Sequence, residues 1–186
     1  ITEGLVGSEM CIRDRDIVWF KRDLRISDNK SLEFVSKSGN QTLFVYIFEP
    51  SVIDSPDCDK RHIRFIHESI IDIQKRFKKF SLDIKCVNCE AIEFFEEISK
   101  TYKIKNVLSY QEIGNNLTYT RDKKIAQFFR TKKINWIQNK TNGIIRGLKS
   151  RKNWKKKWMD EMKSEILLTD LDLSLIHISE PTRPSV

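Results

Sequence analysis

Short apolar runs alternate with longer amphipathic stretches through the middle of the chain. The runs are rich in β-branched and aromatic residues, and continuous apolar runs of this length are typical of strands buried on both faces. The predicted strands are residues 17–20, 42–48, 83–88, 106–110 and 134–138. The stretches between them carry apolar residues at helical spacing. The predicted helices are residues 28–37, 61–80, 91–102, 118–131 and, after the last strand, 153–163.

This alternation predicts an α/β fold. Strands separated by helices form a parallel sheet with helices on both faces. Right-handed crossovers then favour a five-stranded, Rossmann-like doubly wound sheet with the strand order 3-2-1-4-5. In such sheets ligands bind beyond the carboxyl ends of the strands where the order reverses, which here lies between strands 1 and 4. We also expect Asp28 to cap the first helix.

The two ends of the chain differ in origin from its middle. Residues 4–15 and 173–184 can be encoded by complementary strands of one DNA sequence, which unrelated protein segments would not show. Both are similar to translated sequencing-adapter DNA, so we expect residues 1–15 and 173–186 to be adapter-derived scars rather than native tails. Between them, residues 16–139 are expected to form the α/β domain. Residues 140–172 are expected to begin an interdomain linker with a basic helix.

Net charge and cysteine content indicate which classes of partner and which redox environment suit the protein. The chain has a net charge of +8, the ends contribute −1 of it, and residues 16–172 therefore carry +9. Such a surface suits an anionic partner, nucleic acid or a phosphate-bearing cofactor, or it serves solubility alone. No apolar run approaches the ~18 residues of a membrane span. The cysteines between the ends, Cys58, Cys86 and Cys89, form neither a disulfide framework nor a zinc site, which favours a reducing, cytoplasmic location.

Charged and polar residues follow strands 1 and 4. Lys21 and Arg22 begin a turn without glycine, which disfavours a dinucleotide fingerprint or a P-loop. Glu112 and Asn115 follow strand 4 across the predicted crevice. These four residues are candidate cofactor-binding residues, able to hydrogen-bond a small planar ligand. The alternative is an ion-pair network around the first turn and ordinary helix capping around the second. No catalytic residue and no metal ligand is expected.

The final basic helix carries Trp154 and Trp158 on one face among lysines. Lysines with interleaved aromatic residues can contact nucleic acid. A helix that docks its tryptophans on a neighbouring domain has the same pattern, and we favour docking.

Several motifs, in the same order, resemble the DNA photolyase/cryptochrome family. Residues 17–29, IVWFKRDLRISDN, closely resemble the family's opening strand and turn. Residues 46–50, YIFEP, resemble its second strand, and residues 118–122, TYTRD, the start of its fourth helix. Residues 142–151 with the following Trp154 are similar to a bacterial branch. The resemblance covers essentially all of residues 16–172.

The resemblance implies a larger parent, in which a helical domain that binds FAD follows this one. That parent would be a deoxyribodipyrimidine photolyase, a lyase whose light-excited reduced FAD donates an electron to a pyrimidine dimer in DNA. This fragment alone would be inactive. The alternatives are a blue-light cryptochrome photoreceptor and a free-standing nucleotide-binding α/β domain.

The resemblance also implies an antenna pigment in the α/β domain, a deazaflavin or another chromophore. Folate-binding members have an Asn-Glu pair where this chain has Leu117 and Thr118. A folate antenna is therefore not expected.

Overall fold

The computed structural model describes residues 14–145, 148, 150–167 and 177–178. Its centre is a parallel sheet in the order β3-β2-β1-β4-β5, so the predicted fold class and strand order are confirmed. The strands are β1 (Arg15–Phe20), β2 (Gln41–Phe48), β3 (Ile84–Asn88), β4 (Ile104–Tyr110) and β5 (Asn135–Asn139). A two-residue strand, β6 (His177–Ile178), pairs in parallel with the start of β2.

Helices connect the strands and cover both faces of the sheet. They are α1 (Lys30–Ser38), α2 (Pro50–Ile53), α3 (Lys60–Phe77), α4 (Ala91–Thr101), α5 (Asn116–Lys132) and α6 (Trp154–Met162), with a 3₁₀ turn at Lys78–Phe80. The short α2 was not predicted, although its Pro50 occupies the first turn, where the missing N–H leaves no bond unmade. In the part of the chain that the structure describes, no helix has the length and apolar character needed to cross a membrane.

Successive side chains of β1 pack alternately in two separate hydrophobic cores. Val18 and Phe20 point to the face covered by α1 and α3. Ile17 and Trp19 point to the face covered by α4 and α5. All four side chains are almost completely buried, which explains why the strand is a continuous apolar run rather than an alternating one.

The cap of α1 differs from the prediction. Asn29, not Asp28, is the N-cap: its side-chain oxygen accepts hydrogen bonds from the backbone N–H groups of Ser31 at 3.0 Å and Leu32 at 3.2 Å. Asp28 has a left-handed backbone with φ of 50°. Its carboxylate lies 3.6 Å from the Arg25 guanidinium, so it acts outside the helix.

Residues of both expected scars take part in the sheet. The backbone N–H of Arg15 donates to the carbonyl of Lys103 at 3.0 Å, and the Asp14 carboxylate pairs with the Lys103 ammonium at 2.8 Å. Strand pairing uses backbone atoms and therefore places few demands on which side chains are present. The adapter origin of these segments stays a prediction.

Candidate cofactor site

A cavity of about 400 Å³ opens beyond the carboxyl ends of β1 and β2. Its other walls come from α2, from the first half of α3 and from the loop between β4 and α5. The sequence predicted a site at this edge of the sheet, between strands 1 and 4. The cavity includes the loop after β4 but extends mainly toward β2, because the α2–α3 connection supplies the facing wall.

The four candidate residues, Lys21, Arg22, Glu112 and Asn115, all line this cavity. Aromatic and aliphatic side chains form much of the remaining wall. Phe20, Tyr46 and Phe48 come from the strand ends, and Phe65 and Ile66 come from α3. An apolar pocket of this size with a few convergent polar groups is typical of a site for a small organic ligand.

A buried ion-pair network lies at the strand end of the cavity. The Lys21 ammonium is 3.0 Å from a carboxylate oxygen of Asp122. The Arg121 guanidinium binds Asp122 at 2.9 Å and Glu112 at 2.6 Å, and it also pairs with Glu49. Side-chain exposure in this network is between 4% and 12%. Lys21 of the first turn therefore takes part in an ion-pair network, but its carboxylate partner is on α5 and not in the turn, where the alternative prediction had it.

Burial and the ion pairs shift the pKa values of this network in different directions. Burial lowers the pKa of Lys21 to about 8, against the opposing effect of Asp122. Burial likewise raises the pKa of Glu49 above its ordinary value although Arg121 is adjacent. Burial alone would raise the pKa of Glu112, but the neighbouring cations, Arg121 first and then Lys21 and Arg22, together outweigh burial and lower it. Arg121 loses solvation too, yet the carboxylates of Glu49 and Glu112 raise its pKa.

Arg22 stands apart from the other candidates because its side chain is 66% exposed. Its Nε donates to Glu112 at 3.0 Å, which holds the guanidinium beside the cavity. An exposed cation in this position can pair with an anionic group of a ligand whose rings lie deeper.

Asn115 has a structural role. Its side-chain oxygen accepts from the backbone N–H of Thr118 at 3.1 Å and caps α5. Its amide nitrogen donates to the Asp57 carboxylate at 2.9 Å, which ties the start of α5 to the loop before α3. Helix capping, the alternative left open by the sequence, is thus what the Asn115 oxygen does.

The polar residues of the site that were not predicted include Glu49 and Tyr46. Both lie at the carboxyl end of β2, and both line the cavity. The argument that selected the turns after strands 1 and 4 applies equally to strand 2, its neighbour in the sheet. Extending it by one strand would have found them.

Metal binding has no support in the described ranges. Residues 14–145, 148 and 150–167 contain no cluster of three or more His, Cys, Asp or Glu side chains able to hold a metal ion.

The tryptophans of α6 lie outside the cavity. The Trp154 and Trp158 rings stack with their centroids 6.4 Å apart, and they are 43% and 37% exposed. Trp158 also packs on Gly143, where an added Cβ would lie 2.3 Å from the indole.

The fold is a doubly wound α/β domain with a cavity beyond its strand ends, and sequence comparison identifies its family. The sequence profile named DNA photolyase matches residues 16–162. A cryptochrome DASH, chloroplastic/mitochondrial, of Solanum lycopersicum is 28% identical over 102 residues, which are 52% of this chain and 18% of the relative. This chain belongs to the DNA photolyase family, of which it covers the N-terminal α/β domain.

Solved structures have the same fold. A bacterial class III photolyase from Agrobacterium tumefaciens aligns with a TM-score of 0.70 at 16% identity, covering 98% of this chain and 38% of that one. An archaeal photolyase from Sulfolobus tokodaii, described with two FAD molecules and a novel light-harvesting cofactor, aligns with a TM-score of 0.65 at 18% identity. That alignment covers 82% of this chain and 35% of the archaeal chain. The chain spans about a fifth of the length of the curated relatives it matches.

Proposed function

We propose that this domain holds a light-harvesting pigment in the cavity beyond β1 and β2. The observation that carries the proposal is the cavity itself, which combines aromatic walls from Phe20, Tyr46 and Phe48 with cationic groups at its edge. The aromatic walls suit a planar ring system, and the exposed Arg22 suits an anionic side chain on that ring. The archaeal photolyase of the same fold, with its second FAD, supports the same role.

The parent protein, on this proposal, transfers the pigment's excitation to an FAD held by a helical domain. Light-excited reduced FAD would then donate an electron to a pyrimidine dimer in DNA, as in a deoxyribodipyrimidine photolyase. Family membership supports this assignment. A blue-light cryptochrome photoreceptor is the second candidate, since cryptochromes are among the relatives. A free-standing nucleotide-binding domain is less well supported, because the turn after β1 has no glycine for a phosphate.

The pigment class that we favour is a flavin or deazaflavin rather than a folate. Thr118, at one position of the expected Asn-Glu pair, is buried and donates its hydroxyl to the Asn115 carbonyl at 3.2 Å. Leu117, at the other, is a partly exposed apolar residue. Neither side chain offers the carboxylate that a pterin ring would need.

The test is a fluorescence anisotropy titration of this chain with FMN, with an 8-hydroxy-5-deazaflavin and with a methenyl-folate. We expect saturable binding of the first two, with Kd on the order of micromolar, and none of the folate. Ile66→Trp, which fills the cavity from α3, should weaken flavin binding at least tenfold. Ile71→Trp, an exposed site on the same helix outside the cavity lining, is the matched control. Equal flavin binding by both variants would remove the cavity from the proposal.

A further inference from the structure

Trp19 forms part of the cavity wall. It is the residue in this wall that we expect to quench an excited chromophore most strongly. Its indole is buried at the end of β1, and its ring stacks on Trp136 with centroids 6.2 Å apart. Indole is among the most easily oxidised of the ordinary side chains. Beside an excited flavin, the indole would be able to give up one electron to it, which would leave a positive charge on the ring. Return of the electron restores both ground states, so that the excitation is lost without transfer to another acceptor.

Two cations lie against this same indole. The Lys21 ammonium is 4.1 Å from the ring centroid of Trp19, and the Arg121 guanidinium carbon is 5.2 Å away. A positive charge at such a distance opposes the formation of a second positive charge on the ring, and the effect is strong where water is excluded. The carboxylates of Glu49, Glu112 and Asp122 pair with these cations and carry the opposite charge. Lys21 is the nearer of the two cations to the ring, so we assign the larger effect to it.

We propose that Lys21, supported by Arg121, protects an excited pigment in the cavity from quenching by Trp19. The two cations raise the free energy of the indole radical cation and so disfavour the electron transfer described above. The inference rests on the proposed pigment site but concerns a separate property, the lifetime of the bound pigment rather than its affinity. Lys21 is in this respect a positioning residue that acts through Trp19.

The protonation of Lys21 gives a second way to remove its charge. Asp122 and Arg121 on α5 face the ammonium, Glu112 adds its charge from the loop before α5, and Asp23 accepts a hydrogen bond from the Lys21 backbone. Because its pKa is lowered to about 8, Lys21 is charged in neutral solution and becomes neutral as the pH rises through that value. Quenching by Trp19 should therefore increase on the alkaline side.

The experiment measures the fluorescence lifetime of FMN bound to this chain, with anisotropy as the independent measure of binding. Lys21→Met should shorten the lifetime of bound FMN severalfold, whereas Lys21→Arg, which keeps the charge, should not. In a Trp19→Phe background Lys21→Met should have no effect, and this double-mutant comparison isolates the pair from Tyr46 and Cys58, two further oxidisable side chains in the wall. In the wild-type chain the lifetime should fall between about pH 7 and about pH 10, and it should stay constant in Trp19→Phe.

The outcomes separate the inference from the pigment proposal. No rise in anisotropy with wild-type chain contradicts the pigment site itself. Bound FMN with the same lifetime in the wild type and in Lys21→Met overturns the shielding role, as does shortening that persists without Trp19. Should Lys21→Met fail to fold by circular dichroism, a lifetime in the wild-type chain that does not change with pH overturns the role equally.

Discussion

At the scale of single residues, Arg121 is the most constrained side chain of the site. Its guanidinium serves three carboxylates, those of Glu49, Glu112 and Asp122, and it is only 12% exposed. A buried charge without a partner of opposite sign would strongly destabilise the folded protein. Loss of one member of a buried ion pair is costly because the charge left behind is neither solvated nor paired.

Arg121→Met should lower the free energy of unfolding by about 3–5 kcal/mol, since it removes the common partner of three buried carboxylates. Urea denaturation followed by circular dichroism measures this. Arg22→Met is the matched control: Arg22 binds the same Glu112, but its side chain is 66% exposed, and its loss should cost less than about 1 kcal/mol. Similar losses in the two variants would show that burial does not decide the strength of these pairs.

The sequence identified some charged residues of this network, Lys21 and Glu112, but not their pairing. Lys21 and Arg22 could be selected because they follow an apolar strand, and strand ends meet at the edge of a parallel sheet. Their partners are remote: Lys21 and Asp122 are 101 positions apart, and Arg121 and Glu49 are 72 apart. Which carboxylate meets which cation depends on the strand order and on the rotation of α5. The strand order was predicted, but the rotation of α5 does not follow from local sequence.

At the scale of elements, the start of α1 shows how neighbouring polar residues compete for one role. Asp28 and Asn29 are both good caps, and the sequence pattern does not distinguish them. Asn29 caps because its amide can also donate to the Arg25 carbonyl, at 2.9 Å, which a carboxylate could not do. The side chain is completely buried, so both ends of the amide need partners.

Asn29→Ala should destabilise the domain by about 2–3 kcal/mol, because it removes a helix cap and leaves the Arg25 carbonyl unpaired. Thermal or urea unfolding gives the difference. Asp28→Asn is the control, since asparagine tolerates the left-handed backbone and the helix cap is untouched; it should cost less than about 0.5 kcal/mol. The reverse order of the two variants would assign the cap to Asp28.

The strands and helices themselves were largely predictable, and the differences lie at their ends. Apolar runs buried on both faces carry a strong signal, and all five predicted strands are present. β4 begins two residues before its predicted start because Ile104 pairs with Arg15, a contact between distant backbone segments. The sheet begins at Arg15, inside the expected scar of residues 1–15, so the sequence does not predict this start.

At the scale of the whole molecule, the region after β5 differs from the α/β domain. Its partly or largely exposed apolar side chains are Ile144, Trp154, Trp158, Met162 and Ile166. The same segment carries a run of lysines at positions 155–157. Apolar surface at this density is typical of a contact site, and relatives with the same fold continue well beyond the aligned part. If the chain is part of a longer protein, as proposed above, we expect the helical FAD domain to cover this surface.

The isolated chain should therefore self-associate through this surface. Sedimentation velocity over a concentration series should show oligomers that increase with protein concentration. They should also increase with salt, because salt screens repulsion between the lysines while the apolar contacts persist. Trp154→Ser combined with Trp158→Ser should shift the chain toward monomer, whereas Ile71→Ser, which removes an exposed apolar side chain from α3, should not. A wild-type chain that stays monomeric at every salt concentration would show that the exposed apolar surface of α6 is not a site of self-association. The stacked tryptophans would then be available to nucleic acid, and DNA binding that weakens with salt would distinguish that role.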